Sequence, residues 1–167
     1  MSIFSDISRR YSDRVAAINE AGDALTYQEL GEFSARIGKL VDKRTVVCCL
    51  CENTIAAMSG YAAFIENKIV PIMVDGAIDK AFLRNICTIY DPEYIWLSSD
   101  RTDLTANRDI AFSFGNYSLI KMGGSARFPL HDDLAVLLST SGSTGSPKFV
   151  RLSYRNLEAN AESIVKY

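Results

Sequence analysis

Residues 137–150 read LLSTSGSTGSPKFV, and within these fourteen positions fall four Ser, two Thr, two Gly, one Pro and one Lys. The chemistry these residue types share is holding an anion. Gly142 and Gly145 permit positive φ and put no Cβ in the way of a ligand. Successive backbone N–H groups in such a turn form a concave nest for negative charge. The hydroxyls of Thr140, Ser141, Ser143 and Thr144 add donors that rotate to meet phosphate oxygens, and Lys148 sets a compact positive charge beside them. A flexible Gly/Ser linker would have polar flanks, whereas LAVLLS and KFVRL are both strand-like, so the loop joins two pieces of packed structure. A plain structural turn is the competing reading. A Walker A loop is excluded: Pro147 stands where its second Gly belongs, and Phe149 follows Lys148 where Ser or Thr is needed.

The elements that position this loop alternate in type. Phe4, Ile7 and Tyr11 are spaced as one face of an opening helix, and Val15 to Ile18 reads as a short strand. Thr26-Tyr27-Gln28-Glu29 forms a capping box before a helix carrying Leu30, Phe33, Ile37, Leu40 and Val41. Arg44 to Leu50 reads as a buried strand. Asn53 is placed as the cap of a helix to about Asn67 that is apolar nearly all round. Ile69 to Val74 is the next apolar run, with Pro71 pointing to an edge or irregular strand. Asp79 caps a helix with Phe82, Leu83, Ile86, Ile89 and Tyr90, stopped near Asp91-Pro92, and Glu93 to Leu97 follows as a strand. Residues 98–129 carry the weakest pattern, with a short helix and strand-like pieces at Ile110–Phe114 and Ser118–Met122. Leu134 to Leu138 and Phe149 to Leu152 flank the loop as strands. A helix from Ser153 then carries the stripe Leu157, Ala161, Ile164 and Val165. This alternation predicts an α/β fold, a mostly parallel sheet with helices on both faces, in one domain over residues 1–167.

Composition narrows the function classes. The 167 residues are 48% hydrophobic and 23% charged, a folded composition, and the net charge of -2 gives no nucleic-acid footprint. The longest unbroken apolar run, Val46 to Cys51, is too short to span a bilayer, and the N-terminus MSIFSDISRR lacks the order of a signal peptide, so cytoplasm is the expected compartment. Cys49 and Cys51 would share one strand face and Cys48 the other, which suits buried thiols rather than a metal cage or a disulfide framework. The single histidine, His131, has no nucleophile spaced to pair with it and reads as a solvated loop residue. Asp132 and Asp133 read as the polar approach to a strand, Tyr94 and Trp96 as packing, and Arg151 and Arg155 either as surface or as an extension of the positive field.

Residues 137–148 match the signature of the adenylate-forming superfamily: acyl- and aryl-CoA synthetases, adenylation domains of nonribosomal peptide synthetases and luciferases. Two further segments resemble the same family in the same order. Residues 25–30, LTYQEL, resemble its L-T-Y-x-E-L. The block from Asn53 to Asp75, with Tyr61-Ala62-Ala63 and VPIMVD, resembles its next helix and strand, although Asn67-Lys68-Ile69 replaces the usual Gly-containing turn and Met73 and Val74 vary its ending. The resemblance implies the N-terminal subdomain of an ATP-dependent carboxylate ligase that forms an acyl-adenylate and pyrophosphate. It implies that Thr140, Ser141, Gly142, Ser143, Thr144, Gly145 and Lys148 contact ATP phosphates, with Thr144 against Mg²⁺. Its partners would be ATP, a carboxylic acid and a thiol acceptor, either CoA or the phosphopantetheine of a carrier protein, with no nucleic acid and no membrane span.

The family's adenine-contacting segment, ribose-binding Asp and C-terminal catalytic Lys have no counterpart before Tyr167. The expectation is therefore an N-terminal piece of a longer enzyme, inactive by itself, with the remainder following Tyr167. The alternatives are a non-catalytic nucleotide- or anion-binding module, a piece of a peptide synthetase adenylation domain, and a structural domain whose loop has lost its use.

Overall fold

Val46–Cys51 places a small or branched apolar residue at every position, and a strand of that kind is stable only when both of its faces are covered. In the computed structural model, which describes residues 5–105, 108–124, 129–139 and 148–166, this strand lies at the centre of a seven-stranded sheet. In chain order the elements are α1 (Ser5–Arg10), β1 (Val15–Ile18), β2 (Ala24–Thr26), α2 (Tyr27–Leu40), β3 (Val46–Cys51), α3 (Ile55–Glu66), β4 (Val70–Asp75), α4 (Lys80–Tyr90), β5 (Tyr94–Ser98), α5 (Thr102–Thr105), β6 (Ile110–Phe114), β7 (Tyr117–Lys121), β8 (Leu134–Ser139), β9 (Phe149–Ser153) and α6 (Tyr154–Val165). The large sheet has the order β6-β7-β5-β3-β4-β8-β9, and β1 with β2 forms a separate antiparallel pair.

Side chains alternate along β3. Val47, Cys49 and Cys51 join Phe33 and Ile37 of α2 and Phe64 of α3 on one face, while Val46, Cys48 and Leu50 join Leu83 and Ile86 of α4 on the other. Helices therefore cover both faces, as the alternation of elements predicts. The four central strands β5, β3, β4 and β8 are parallel, and the outer pairings β5–β7, β6–β7 and β8–β9 are antiparallel. The parallel character expected of the sheet is thus confined to its centre, while the two-residue β6–β7 hairpin and the β8–β9 hairpin form antiparallel margins.

The helix ends follow local chemistry. Thr26 Oγ1 accepts from Glu29 N at 3.2 Å while Glu29 Oε2 accepts from Thr26 N at 2.8 Å, completing the expected capping box. Asp79 caps α4 through Phe82 N at 2.8 Å, and Asp91 ends it in the left-handed region at φ 48°. The cap of α3 is Thr54 rather than Asn53: Thr54 Oγ1 accepts from Ala57 N at 3.1 Å. Both residue types cap well, and sequence alone leaves a one-residue ambiguity between them.

Pro71 is also placed differently from expectation. It lies in β4, an interior strand between β3 and β8. Val70 N donates to Thr45 O on the β3 side, so the next nitrogen, that of Pro71, faces the β8 side. Pairing with β8 starts only at Ile72↔Leu137, so the missing N–H takes no bond from that ladder. On α6, only Leu157 of the expected stripe packs inward, against the cluster of Ile65, Ala135 and Val136. Ile164 and Val165 are 65% and 85% exposed.

Trp96 of β5 packs tightly under α3. It is 1% exposed, its Nε1 donates to Ala56 O at 3.3 Å, and a Cβ added at Gly60 would meet that nitrogen at 2.2 Å. Gly60→Ala gains about 1 kcal/mol of helix propensity. Overpacking a fixed ring costs about 1–3 kcal/mol and the indole has no room to retreat, so the variant should be less stable by up to about 2 kcal/mol net of that gain. Urea unfolding followed by the fluorescence of this single Trp measures the difference.

Burial holds the β3 thiols protonated: those of Cys48 and Cys49 are pushed well up, and that of Cys51 rises from its usual 9 to about 11. A thiol whose pKa is raised by folding contributes stability below its unfolded value and loses it as pH climbs through the folded one. The thiol contribution of Cys51 should therefore be intact below pH 9 and gone above about pH 11. At pH 8, Ellman's reagent should leave Cys48 and Cys49 unmodified in the native chain and titrate all four thiols in guanidinium.

Candidate phosphate-loop site

β8 and β9 are in register from Leu137↔Arg151 through Leu138↔Val150 to Ser139↔Phe149. The last pair fixes the two ends of the Ser/Thr/Gly-rich loop side by side and sets Lys148, which is exposed, at its base. Thr140, Ser141, Gly142, Ser143, Thr144 and Gly145 lie outside the described residues, so their expected phosphate contacts, and the Mg²⁺ contact of Thr144, stay expectations. Because β8 is parallel to β4, which pairs with β3, which pairs with β5, the loop leaves the same carboxyl edge as the turns after Cys51, Asp75 and Ser98. Open α/β sheets gather their ligands beyond that edge.

The strand that carries the loop is held firmly. Ala135, Val136 and Leu137 are buried, and Ile72↔Leu137 and Met73↔Leu138 join β8 to the parallel core. At the amino end, Arg44 Nη2 donates to His131 O at 2.7 Å and Leu134 O at 2.6 Å, and Nη1 donates to Lys68 O at 2.6 Å. One guanidinium thus ties the approach to β8 to the turn before β4. At the start of β9, Phe149 meets Tyr90 of α4 edge to face, with ring centroids 5.3 Å apart.

The neighbouring turns of the carboxyl edge are fixed by groups that sequence reading missed. Tyr117 Oη donates to Leu50 O at 2.9 Å and accepts from Glu52 N at 3.1 Å, which pins the β3–α3 turn. Burial pushes the Tyr117 phenol well up, so it remains a neutral donor. Gly76 N donates to Cys51 O at 2.8 Å, and a Cβ at Gly76 would meet Glu52 Cγ at 2.6 Å. Arg101 donates to Gly76 O and to Ile78 O, and it also pairs with Asp103. A buried tyrosine hydroxyl advertises in sequence that it needs a partner, but the topology chooses which carbonyl.

Of the remaining candidates, Tyr94 and Trp96 take the packing role expected of them, whereas exposure leaves both readings of Arg151 and Arg155 open. His131 is exposed, and its Nδ1 accepts from Asp133 N at 3.2 Å. Asp132 and Asp133 are exposed ahead of β8, Arg151 and Arg155 are exposed, and Tyr94 and Trp96 are core residues. Among the described residues no group of three His, Cys, Asp or Glu side chains could hold a metal ion, and no helix is long and apolar enough to cross a membrane.

Comparison with known proteins agrees with this architecture. The chain is 30% identical over 167 residues to nonribosomal peptide synthetase 30 of Fusarium vanettenii, covering 89% of this chain and 3% of that protein. It is 26% identical over 157 residues to the D-alanine--D-alanyl carrier protein ligase of Staphylococcus epidermidis, covering 89% of this chain and 31% of the ligase. The chain therefore spans less than a third of the length of these relatives. Among solved structures it resembles the Klebsiella oxytoca NpsA N-terminal subdomain in complex with 3-hydroxyanthranilyl-AMSN, with a TM-score of 0.61 and 26% identity, over 92% of this chain and 40% of that one. The fold also matches Bacillus subtilis O-succinylbenzoate coenzyme A synthetase in complex with AMP, with a TM-score of 0.67 at 17% identity, over 96% and 44% of the two chains. The family profile of the AMP-binding enzymes matches residues 4–167, and the chain belongs to that family.

Proposed function

We propose that this chain is the phosphate-gripping N-terminal part of an ATP-dependent ligase that activates a carboxylic acid as its acyl-adenylate. The observation that supports the proposal is the Ser139↔Phe149 pairing of β8 with β9, which sets Ser139 and the exposed Lys148, the two flanks of segment 140–147, side by side at the carboxyl edge of the parallel strands. A substrate carboxylate oxygen attacks the α-phosphorus of ATP, the bond from that phosphorus to its bridging oxygen breaks, and pyrophosphate departs. The amides and hydroxyls of Thr140, Ser141, Gly142, Ser143, Thr144 and Gly145, with the Lys148 ammonium, hold the β- and γ-phosphates and stabilise the charge gained by the leaving group. Mg²⁺, held mostly by phosphate oxygens with Thr144 Oγ1 as the protein contact, would offset part of that charge. The carrier protein ligase and the peptide synthetases among the relatives support a carrier-bound thiol as the acceptor that then displaces AMP, with CoA as the other candidate.

Pyrophosphate titration by calorimetry should show saturable binding to the 167-residue chain, weakened about three- to tenfold in Lys148→Ala, as expected for a charge-assisted contact open to water. Superimposable curves for the two proteins would remove Lys148 from the site. The same chain alone should catalyse no carboxylate-dependent exchange of labelled pyrophosphate into ATP. Measurable exchange would show that residues 1–167 suffice for adenylation.

A further inference from the structure

At the opposite end of the sheet from the β8–β9 hairpin, a groove of about 1010 Å³ opens between the β1–β2 pair, α2, the start of α3 and the β6–β7 turn. Its floor is apolar. Phe112 and Phe114 of β6 pack on Phe33, with centroids 5.8 and 4.5 Å from its ring, and Ile18 and Met58 beside them are 67% and 39% exposed. Apolar surface left open within a polar rim marks an interaction site. The rim is acidic: Glu20, Asp23, Glu29 and Glu32 line the groove, and Arg36 is the one cationic side chain among its lining residues. The groove thus holds a larger excess of negative charge than the chain as a whole, whose net charge is -2.

We propose that this groove docks a basic amphipathic peptide segment of a partner protein. The segment's apolar side rests on Ile18, Met58, Phe112 and Phe114, and its Lys or Arg side chains meet Glu20, Asp23 and Glu32. Charge complementarity selects the occupant: an acidic or neutral segment would meet uncompensated carboxylates. A second copy of this chain is a poorer occupant. The basic turn nearest to that chemistry, Arg9-Arg10, lies on the short helix α1, which already packs against α2 of its own chain. The groove is independent of the phosphate loop, so the proposal stands or falls separately from the proposed activity.

Fluorescence anisotropy with a labelled amphipathic Leu/Lys peptide and the full chain tests it. The peptide should bind saturably and more weakly as salt rises, and its Glu-for-Lys twin should bind at least about tenfold more weakly. Glu20→Lys with Glu32→Lys should weaken the Leu/Lys peptide at least about tenfold, and Ile18→Ser several-fold, whereas Glu158→Lys on α6 should leave it unchanged. Thermal melts matching the parent's would show that these surface variants keep the fold. Comparable binding of the acidic twin, or equal losses from Glu158→Lys and the groove variants, would overturn the proposal. So would concentration-dependent self-association that Arg10→Glu abolishes, because it would make the occupant another copy of the chain.

Discussion

The burial of β3 on both faces is the constraint from which the rest of the architecture follows. An apolar strand at the centre of a parallel sheet must be covered on each side, and here α2 and α3 cover one face while α4 covers the other. The cysteines suit that position because they are small enough to let helices approach closely, and the same burial that makes them good packing keeps their thiols protonated and inert. With β3 held, β4 and β5 align beside it and β8 aligns beside β4. The parallel pairing then brings the carboxyl ends of four strands to one edge.

That edge is where the chain concentrates its irregular contacts. Tyr117 bridges Leu50 and Glu52, Arg101 holds the turn after β4 at two carbonyls, and Gly76 passes close to Glu52. These contacts fix turns that would otherwise leave the sheet freely. Arg44 works from the amino end of β8, fixing where that strand begins. The acidic groove opens beside β6, at the far end of the strand order from β8 and β9, and its lining includes Asn53 and Thr54 of the same β3–α3 turn that Tyr117 pins.

Much of the order of elements could be read from residue types. The Thr26–Glu29 box, the Asp79 cap and the stop at Asp91-Pro92 are short-range signals, and each reappears in the structure at the residues that carry it. The alternation of Cys48 against Cys49 and Cys51 likewise follows from strand geometry alone. Where reading failed, a longer-range fact intervened. Pro71 suggested an edge because a proline removes one donor, but only the register of β8 shows that the donor has no partner to lose. Asn53 and Thr54 compete as caps on nearly equal terms, and a hydroxyl bond to Ala57 N settles the matter. The antiparallel margins were read as strands without a direction, since direction depends on connection length and neighbour rather than on strand composition.

By itself, the sequence determined the chemistry on offer: a run of glycines, hydroxyls and a lysine between two apolar strands, in a signature long enough to point to the family. Local interactions with neighbours a few residues away were enough for that, and for most helix ends. The tertiary structure alone decided which strands became neighbours, which carbonyls Arg44, Arg101 and Tyr117 reached, and that an acidic rim would surround exposed apolar side chains beside β6. Those outcomes join residues between 23 and 90 positions apart, and no local preference carries that information. It arises only when burying both faces of β3 forces distant segments into one packed sheet.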